Sequence, residues 1–527
     1  MRPLKNWTVP QLMQEIAVSF PDQCAIRYKG CSWTYQQMDM LTDRLAQGLL
    51  ARGVAPGDRV ALMTENTARG IFLFYAALKM GAVVCMINTS LKSDELLTLF
   101  ESSDIDHLVM GSHYKNNYFY EEYLGLADRY PLKQVFDIGE PPRSPFCNWD
   151  MLLDTEGQDT LETVKARMQP ADPCLMLYTS GTTGKVPKGV VLSQYHLANA
   201  GGQKADSMGL EKEDILCCAL QLFHVFCIDV DVLAALSVGA CLAMPEDLHT
   251  ASILHTIETE KCTVLSAVPC TFQVMTGRED FKNYDVSSLR TGIIGGAYCS
   301  PELFQKIDRA LDFTLLPGLG QTEAAAGIAI GSLGDSLEIR SRTVGHFVPH
   351  SEGMIQDLET GKPVTAGAVG EVCIRSPMLM LGYYRQPEMT RKAMDPEGWL
   401  HTGDLGWQDP EGYIHISGRL KEIINRGGEK IIPSEIEDQI CQMEAVAECV
   451  VIGVEDDYYG EEPCACIVKR PGAELLAETV REFLTARIAS YKIPRYIRFL
   501  DTFPRTTTGK VQKGELRRSF RKGEDKK

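Results

Sequence analysis

Twice along this chain, helical and strand-like periods alternate over a long stretch. From Trp33 to Leu153 the pattern is a helix over Thr34–Arg52, a strand over Arg59–Met63, a helix over Ile71–Met80 and a strand over Ala82–Ile87. Repeated β-then-α alternation implies a mostly parallel sheet covered on both faces. A second series runs from Leu175 to Ile330, with strand-like runs at Cys241–Met244, Thr263–Val268 and Thr291–Ile294. Two α/β layers on one plan are expected. The longest apolar run, Ile71 to Ile87, carries Lys79 and Gly81 and reads as a buried helix turning into a strand rather than a membrane span.

After Ser341 the texture changes to short strands between Gly, Pro and Asp turns, as in Gly367–Arg375 and Tyr413–Ser417. This predicts a small, β-barrel-like subdomain. Beyond Arg419 about a hundred residues hold strand-like Glu448–Val454 and Ala465–Val468 and a helix around Glu478–Ile488, the pattern of a small α+β domain. A length of 527 residues suits several such units.

Composition removes some classes of function. With 53 Lys plus Arg against 70 Asp plus Glu, the formal charge is −17, which argues against a nucleic-acid-coating or anionic-membrane surface. Any polyanionic ligand needs a local basic site. The 17 cysteines show no zinc-type spacing, since the nearest pairs are Cys217–Cys218 and Cys464–Cys466; free thiols in a reducing cytosol are the simpler expectation. Arg2 and Lys5 are not followed by the apolar core of a signal peptide, so a cytoplasmic protein without a membrane span is expected.

One segment supplies the local site. Tyr178-Thr-Ser-Gly-Thr-Thr-Gly-Lys-Val-Pro-Lys-Gly189 follows the apolar run Leu175–Leu177, so a strand leads into a loop of hydroxyls, glycines and lysines. Gly181 and Gly184 let backbone N–H groups point inward, Thr179, Ser180, Thr182 and Thr183 add hydroxyl donors, and Lys188 supplies charge. This is the composition of a phosphate cradle, although it lacks the G-x4-G-K-[ST] spacing of a P-loop.

With six further motifs the sequence resembles the AMP-forming adenylating superfamily of acyl-CoA synthetases, adenylation domains and beetle luciferases. In the family's order stand Gly295-Gly-Ala297, Gly318-Leu-Gly-Gln-Thr-Glu323, Gly398-Trp-Leu-His-Thr-Gly-Asp404, Gly418-Arg-Leu-Lys-Glu422, Asn425-Arg-Gly-Gly-Glu-Lys430 and Pro504-Arg-Thr-Thr-Thr-Gly-Lys510. The resemblance covers nearly the whole chain and implies an acid–thiol ligase using ATP, Mg2+ and coenzyme A. A carboxylate would attack the α-phosphate of ATP, pyrophosphate would leave, and the acyl-adenylate would pass to a thiol.

Residue roles follow from the resemblance and make chemical sense. Glu323 offers hard oxygen to Mg2+, and Thr322 beside it can donate to the α-phosphate. Gly295, Gly296 and Ala297, with Gly318, Leu319 and Gly320, would hold adenine against backbone. Asp404 would accept from the ribose hydroxyls and Arg419 would contact ribose or phosphates. Lys510 matches the lysine that bridges carboxylate and α-phosphate. Lys421 matches the interdomain hinge, with Gly418 easing a change in φ and ψ. Gly427 and Gly428 match positions where backbone meets the pantetheine arm, and Lys430 a nucleotide contact. His224, in Leu222-Phe-His-Val-Phe226, matches an aromatic gate beside the acyl pocket; its neighbours make that pocket mostly apolar, with no cation nearby to suit a diacid.

The implied layout is a large N-terminal domain, 1–418, of two α/β subdomains and the β-barrel-like piece, and a small mobile α+β domain, 419–527. Two departures stand out. The loop from Gly184 to Lys188 is one residue longer than the commonest family form, and Leu319 replaces the usual adenine-stacking aromatic, a loss of about 1 kcal/mol. The leading function is a carboxylate–CoA ligase for a small-to-medium aliphatic or aromatic acid. The alternative is a ligase that loads a separate carrier protein; no carrier-like unit follows Lys510, which favours free coenzyme A. Either a monomer or a homodimer is compatible with the sequence.

Overall fold

The computed structural model describes residues 2–143, 145–155, 160–179, 187–325, 327–505 and 511–520. The chain forms two compact units, one of Met1–Glu352 with Ile374–Leu400 and the other of Gly353–Cys373 with His401–Lys527.

The first unit is built on two large sheets. The eight-stranded sheet runs, in spatial order, Gly382–Tyr383, Lys188–Ser193, Pro173–Thr179, Val83–Met86, Arg59–Met63, His107–Met110, Gln134–Asp137 and Cys147–Asn148. Its central strands are parallel, with Val60 opposite both Val84 and His107. The helix expected over Thr34–Arg52 spans Tyr35–Ala51, started by Thr34, whose hydroxyl accepts the Gln37 N–H while the Gln37 side chain returns to the Thr34 N–H. The apolar run divides as expected into the buried helix Ala68–Lys79 and the strand Val83–Met86. Lys79 is 1% exposed, and its ammonium is met by Asp39 Oδ1 at 2.5 Å and Asp43 Oδ1 at 2.8 Å.

The nine-stranded sheet places Thr314–Leu319, Thr291–Ile294, Val264–Leu265, Ile215–Cys217 and Cys241–Met244 side by side and parallel. It gains Cys24–Tyr28 and Cys31–Thr34 from the N-terminal region at one edge. Helices Thr250–Glu260, Pro269–Thr276 and Pro301–Leu311 cover one face with Ile253, Ile257, Phe272, Phe304 and Ile307. Helix Gln194–Met208 packs on the π-helical turn Ile228–Val232 and helix Leu233–Val238. A Cβ on Gly201 would lie 2.2 Å from the Leu233 carbonyl, so glycine permits this close approach.

The second unit holds most of a four-stranded sheet, ordered Glu352–Gln356, Gly370–Arg375, Leu400–Gln408 and Ile414–Arg419, and a five-stranded sheet built on Val446–Asp456 and Gly460–Lys469. Helices Pro433–Ile440 and Ala477–Thr485 bury Ile436, Ile440, Val480 and Leu484 against that second sheet. No helix among the described residues is long and apolar enough to cross a membrane.

One buried cap makes stability sensitive to acid. His196 Nδ1 accepts the Ser193 N–H at 3.0 Å at the start of helix Gln194–Met208, and burial pushes the imidazole down to about 4. The unfolded chain binds this proton near pH 6.5, so the contribution is complete above that value and declines as pH falls toward 4, by about 2 kcal/mol at pH 5. Gln at this position preserves an acceptor for the Ser193 N–H. His196→Gln should therefore reduce the loss of denaturation free energy between pH 7 and pH 5 by about 2 kcal/mol; an unchanged pH dependence would remove His196 as its source.

Candidate active site

The phosphate-type loop joins two paired strands. Pro173–Thr179 and Lys188–Ser193 run antiparallel, with Thr179 opposite Lys188 and Tyr178 opposite Gly189. The expected strand before the loop is present, and Thr179 and Lys188 stand at the two ends of the hairpin. Ser180, Gly181, Thr182, Thr183 and Gly184 lie outside the described residues.

A second segment brings the Glu323 turn to this hairpin. Gly382–Tyr383 pairs with Lys188–Ser193, the Leu381 N–H donates to the Val191 carbonyl at 2.8 Å, and the Tyr384 N–H donates to the Gly189 carbonyl at 2.8 Å. One residue earlier, the Met380 N–H donates to the Glu323 carbonyl at 2.8 Å. Thr322 and Glu323 begin a single 3-10 turn, Thr322–Ala324, so both project from a fixed backbone. The Tyr383 hydroxyl donates to Glu323 Oε1 at 2.7 Å, and Lys188 Nζ sits 4.9 Å from the centroid of the same ring. Burial, and then the Glu323 carboxylate, push the Tyr383 phenol up, so it stays a neutral donor. Sequence reasoning missed Tyr383: its partner is sixty residues away and no local pattern marks it.

The two glycine motifs emerge from the carboxyl ends of neighbouring parallel strands, where Ile294 pairs with Pro317. Open α/β sheets bind ligands at such ends. A Cβ on Gly295 would lie 2.9 Å from the Gly318 carbonyl oxygen and 3.6 Å from Phe226 Cζ, so glycine lets the loops meet. Gly296 adopts φ +79°, and Gly296 and Ala297 are exposed. Leu319 and Gly320 follow on the partner loop, with Leu319 half-buried and paired to Ala329.

Phe226 belongs to the His224 segment, which thereby reaches the same edge. His224 precedes the short helix Val225–Cys227, its ring 4.5 Å from that of Phe223. Its Nε2 is buried and has no hydrogen-bond partner among the described residues, and burial pushes the ring down to about 4. It is a neutral imidazole at pH 7. Asn66 clasps the preceding loop, donating to the Leu220 carbonyl at 2.6 Å and accepting from the Leu222 N–H at 3.0 Å. Asn66 is another participant with no local signal.

In the second unit, Asp404 and Arg419 face each other on the antiparallel strands Leu400–Gln408 and Ile414–Arg419, and Arg419 Nε lies 2.6 Å from Asp404 Oδ1. Asp404 is 2% exposed and its N–H donates to Thr402 Oγ1 at 3.0 Å. Glu371 accepts the Gly403 N–H at 2.9 Å with one oxygen and meets His401 Nδ1 at 3.0 Å with the other. The turn carrying the carboxylate is thus braced from a third strand. Such a rigid carboxylate with an adjacent guanidinium suits a diol next to a phosphate.

Gly418 takes φ +148° and is followed by the single turn Leu420–Glu422 that contains Lys421. Gly427 and Gly428, at φ +60° and +99°, form the tight turn between Ile424–Arg426 and Glu429–Ile431. Lys430 follows, its Nζ 3.6 Å from Glu359 Oε1. Lys510 lies outside the described residues, but Arg505 pairs with Val511 on either side of its segment.

Comparison with known proteins agrees with this geometry. Residues 13–384 match the AMP-binding enzyme family and residues 435–510 match the AMP-binding enzyme C-terminal domain. YngI of Bacillus subtilis (strain 168), an acyl-CoA synthetase by name, is 36% identical over 98% of both chains. The mitochondrial medium-chain acyl-CoA ligase ACSF2 of Danio rerio is 31% identical over 98% of this chain and 88% of its own. Among solved structures, ATP-bound MatB from Rhodopseudomonas palustris superposes with a TM-score of 0.83 at 27% identity, covering 97% of this chain and 98% of that one. With both halves matched in order, the chain belongs to the AMP-binding enzyme family, the adenylate-forming superfamily that includes acyl-CoA synthetases.

Proposed function

We infer that this chain is an AMP-forming carboxylate–CoA ligase acting on a small-to-medium carboxylic acid. The observation that carries the reading is the joining of Glu323, Tyr383 and Lys188 at the mouth of the Thr179–Lys188 hairpin, within a chain whose relatives over its full length are named acyl-CoA synthetases or ligases. In the first half-reaction an acid oxygen bonds to the α-phosphorus and the bond to pyrophosphate breaks. In the second, a thiol adds to the acyl carbon and AMP leaves.

Glu323 fits a magnesium ion by donor type: a half-buried carboxylate with one oxygen fixed by a phenol is a hard ligand held in place. Mg2+ there would lower the charge density of the phosphate oxygens. Thr322 donates to the α-phosphate, the hydroxyls and amides of 179–184 receive the outer phosphates, and Lys188 adds positive charge. Gly295–Ala297 and Gly318–Gly320 receive adenine, and Asp404 with Arg419 receives ribose. His224, neutral and half-buried, borders the acid and can leave the thiol's path without losing a charge pair.

The thioester half assigns the 419–527 segment a separate motion about Lys421, exchanging Lys510 for the Gly427–Gly428 turn. The two family matches leave residues 385–434 between them, and Gly418 and Lys421 fall in that interval. No disulfide joins any of the described cysteines, which fits a reducing, cytoplasmic location.

Pyrophosphate release with ATP and Mg2+ across carboxylic acids of graded length and aromaticity, with and without coenzyme A, tests the reading. Acid-dependent release that becomes multiple-turnover on adding coenzyme A is the expected result. Release that stops after about one turnover and ignores coenzyme A would instead place a carrier protein as acceptor.

A further inference from the structure

Two buried ionisable groups beside the active-site loops lack hydrogen-bond partners among the described residues. Lys204, in helix Gln194–Met208, is 3% exposed, and Asp229, in the π-helical turn after His224, is fully buried. Neither the ammonium nor either carboxylate oxygen has a hydrogen-bond partner among the described residues. Lys79 provides the contrast: it is just as buried, yet two carboxylates and a carbonyl surround it. Burying an ammonium and a carboxylate without hydrogen bonds costs several kcal/mol, so unsatisfied polar groups of this kind call for an explanation.

Their location supplies one. Lys204 Nζ lies 2.5 Å from where a Cβ on Gly327 would stand. Gly327 does not have positive φ, so its missing side chain makes space rather than permitting a backbone shape. Gly327 follows Glu323 by four residues, its N–H donates to the Ala324 carbonyl at 2.9 Å, and the next N–H, of Ile328, donates to the Leu319 carbonyl at 2.9 Å. Asp229 follows His224 by five residues on a turn packed against the Lys204 helix. Lys204 therefore meets the chain just after the Glu323 turn, and Asp229 lies on the turn just after His224. Asp231 does not share this position, since its carboxylate gathers with the Cys218 and Cys227 sulfurs within 4.8 Å.

We propose that Lys204 and Asp229 form a polar floor to the acyl pocket, and that the preferred acid carries a hydroxyl at the end remote from its carboxylate. This rests on the ligase reading and names its substrate class. A hydroxyl accepts from the ammonium and donates to the carboxylate, satisfying both at once. A terminal methyl leaves both unpaired, and a terminal ammonium faces Lys204. Sites built to hydrogen-bond a substrate hydroxyl discriminate strongly against the analogue lacking it. Burial holds the Lys204 ammonium below its ordinary range and pushes Asp229 up to about 8, while the attraction between the two charges opposes both shifts.

The test compares plain alkanoates, ω-hydroxy acids and α,ω-diacids of matched length by pyrophosphate release with coenzyme A, in the wild type, Lys204→Met and Asp229→Asn. At the best chain length the ω-hydroxy acid should exceed the alkanoate in kcat/KM by about tenfold or more, and this ratio should collapse in Lys204→Met. Asp229→Asn, which preserves shape, should lower the same ratio and serves if the methionine variant does not fold. A wild type that prefers plain alkanoates or diacids, or variants that retain the wild-type ratio, would overturn the polar floor while leaving the ligase intact. Failure of every acid to release pyrophosphate would overturn the ligase reading itself.

Discussion

Lys510→Ala should lower acyl-adenylate formation by about a hundred- to a thousandfold while leaving thioester formation from supplied acyl-adenylate largely intact. As the acid oxygen nears the α-phosphorus, two anions converge and negative charge grows on the phosphate. A single ammonium between them offsets both, and its removal leaves that repulsion in the transition state. No such convergence occurs in the second half-reaction, where a thiol adds to an uncharged acyl carbon and the new negative charge develops on the phosphate oxygen of the departing AMP.

The variant should remain folded for reasons visible in the described residues on either side. Arg505 bridges to Val511, the Gln512 N–H donates to the Pro504 carbonyl at 2.8 Å, and Arg505 pairs with Glu448. Leu516, beyond them, is buried with Val450, Ile452 and Phe503. None of these contacts uses Lys510. The measurement is acid-dependent pyrophosphate exchange without coenzyme A, set against single-turnover thioester formation from synthetic acyl-adenylate. Equal loss in both would assign Lys510 to folding or to general anion binding rather than to adenylation.

What could be read from sequence was what neighbouring residues encode. The strands Arg59–Met63, Cys241–Met244 and Thr291–Ile294 and the helix after Thr34 follow from local periodicity and capping, and the structure has them. The sheet memberships that cross the chain were not legible. Cys24–Thr34 joins the sheet of the second α/β series, and Gly382–Tyr383 joins that of the first, because pairing depends on partners hundreds of residues away. The candidate site divides in the same way. Glu323, Asp404 and His224 lie in short motifs, whereas Tyr383, Asn66, Lys204 and Asp229 are brought to their places by topology. The sequence around His224 contains no cation, which suggested a mostly apolar pocket. Lys204 arrives from twenty residues upstream, on a helix whose polar residues look solvated until Gly201 draws it against Leu233.

Glu323→Gln should reduce kcat/KM for adenylation by about a hundredfold, near 2.7 kcal/mol of transition-state free energy, and raise the Mg2+ concentration needed for half-maximal rate. Glutamine has nearly the same shape and can still accept from the Tyr383 hydroxyl, so the substitution removes charge with little change in packing. Tyr383→Phe keeps the ring under Lys188 but frees Glu323 Oε1 from its donor at 2.7 Å, and should cost less, about tenfold. If the phenol acts by holding the carboxylate, its loss should matter little once the carboxylate is gone. The double variant should then resemble Glu323→Gln alone, a coupling that a double-mutant cycle measures directly. Additive losses would mean that Tyr383 touches the nucleotide by itself, and a glutamine variant with unchanged rate and Mg2+ dependence would reduce Glu323 to a brace for the Met380–Tyr384 segment.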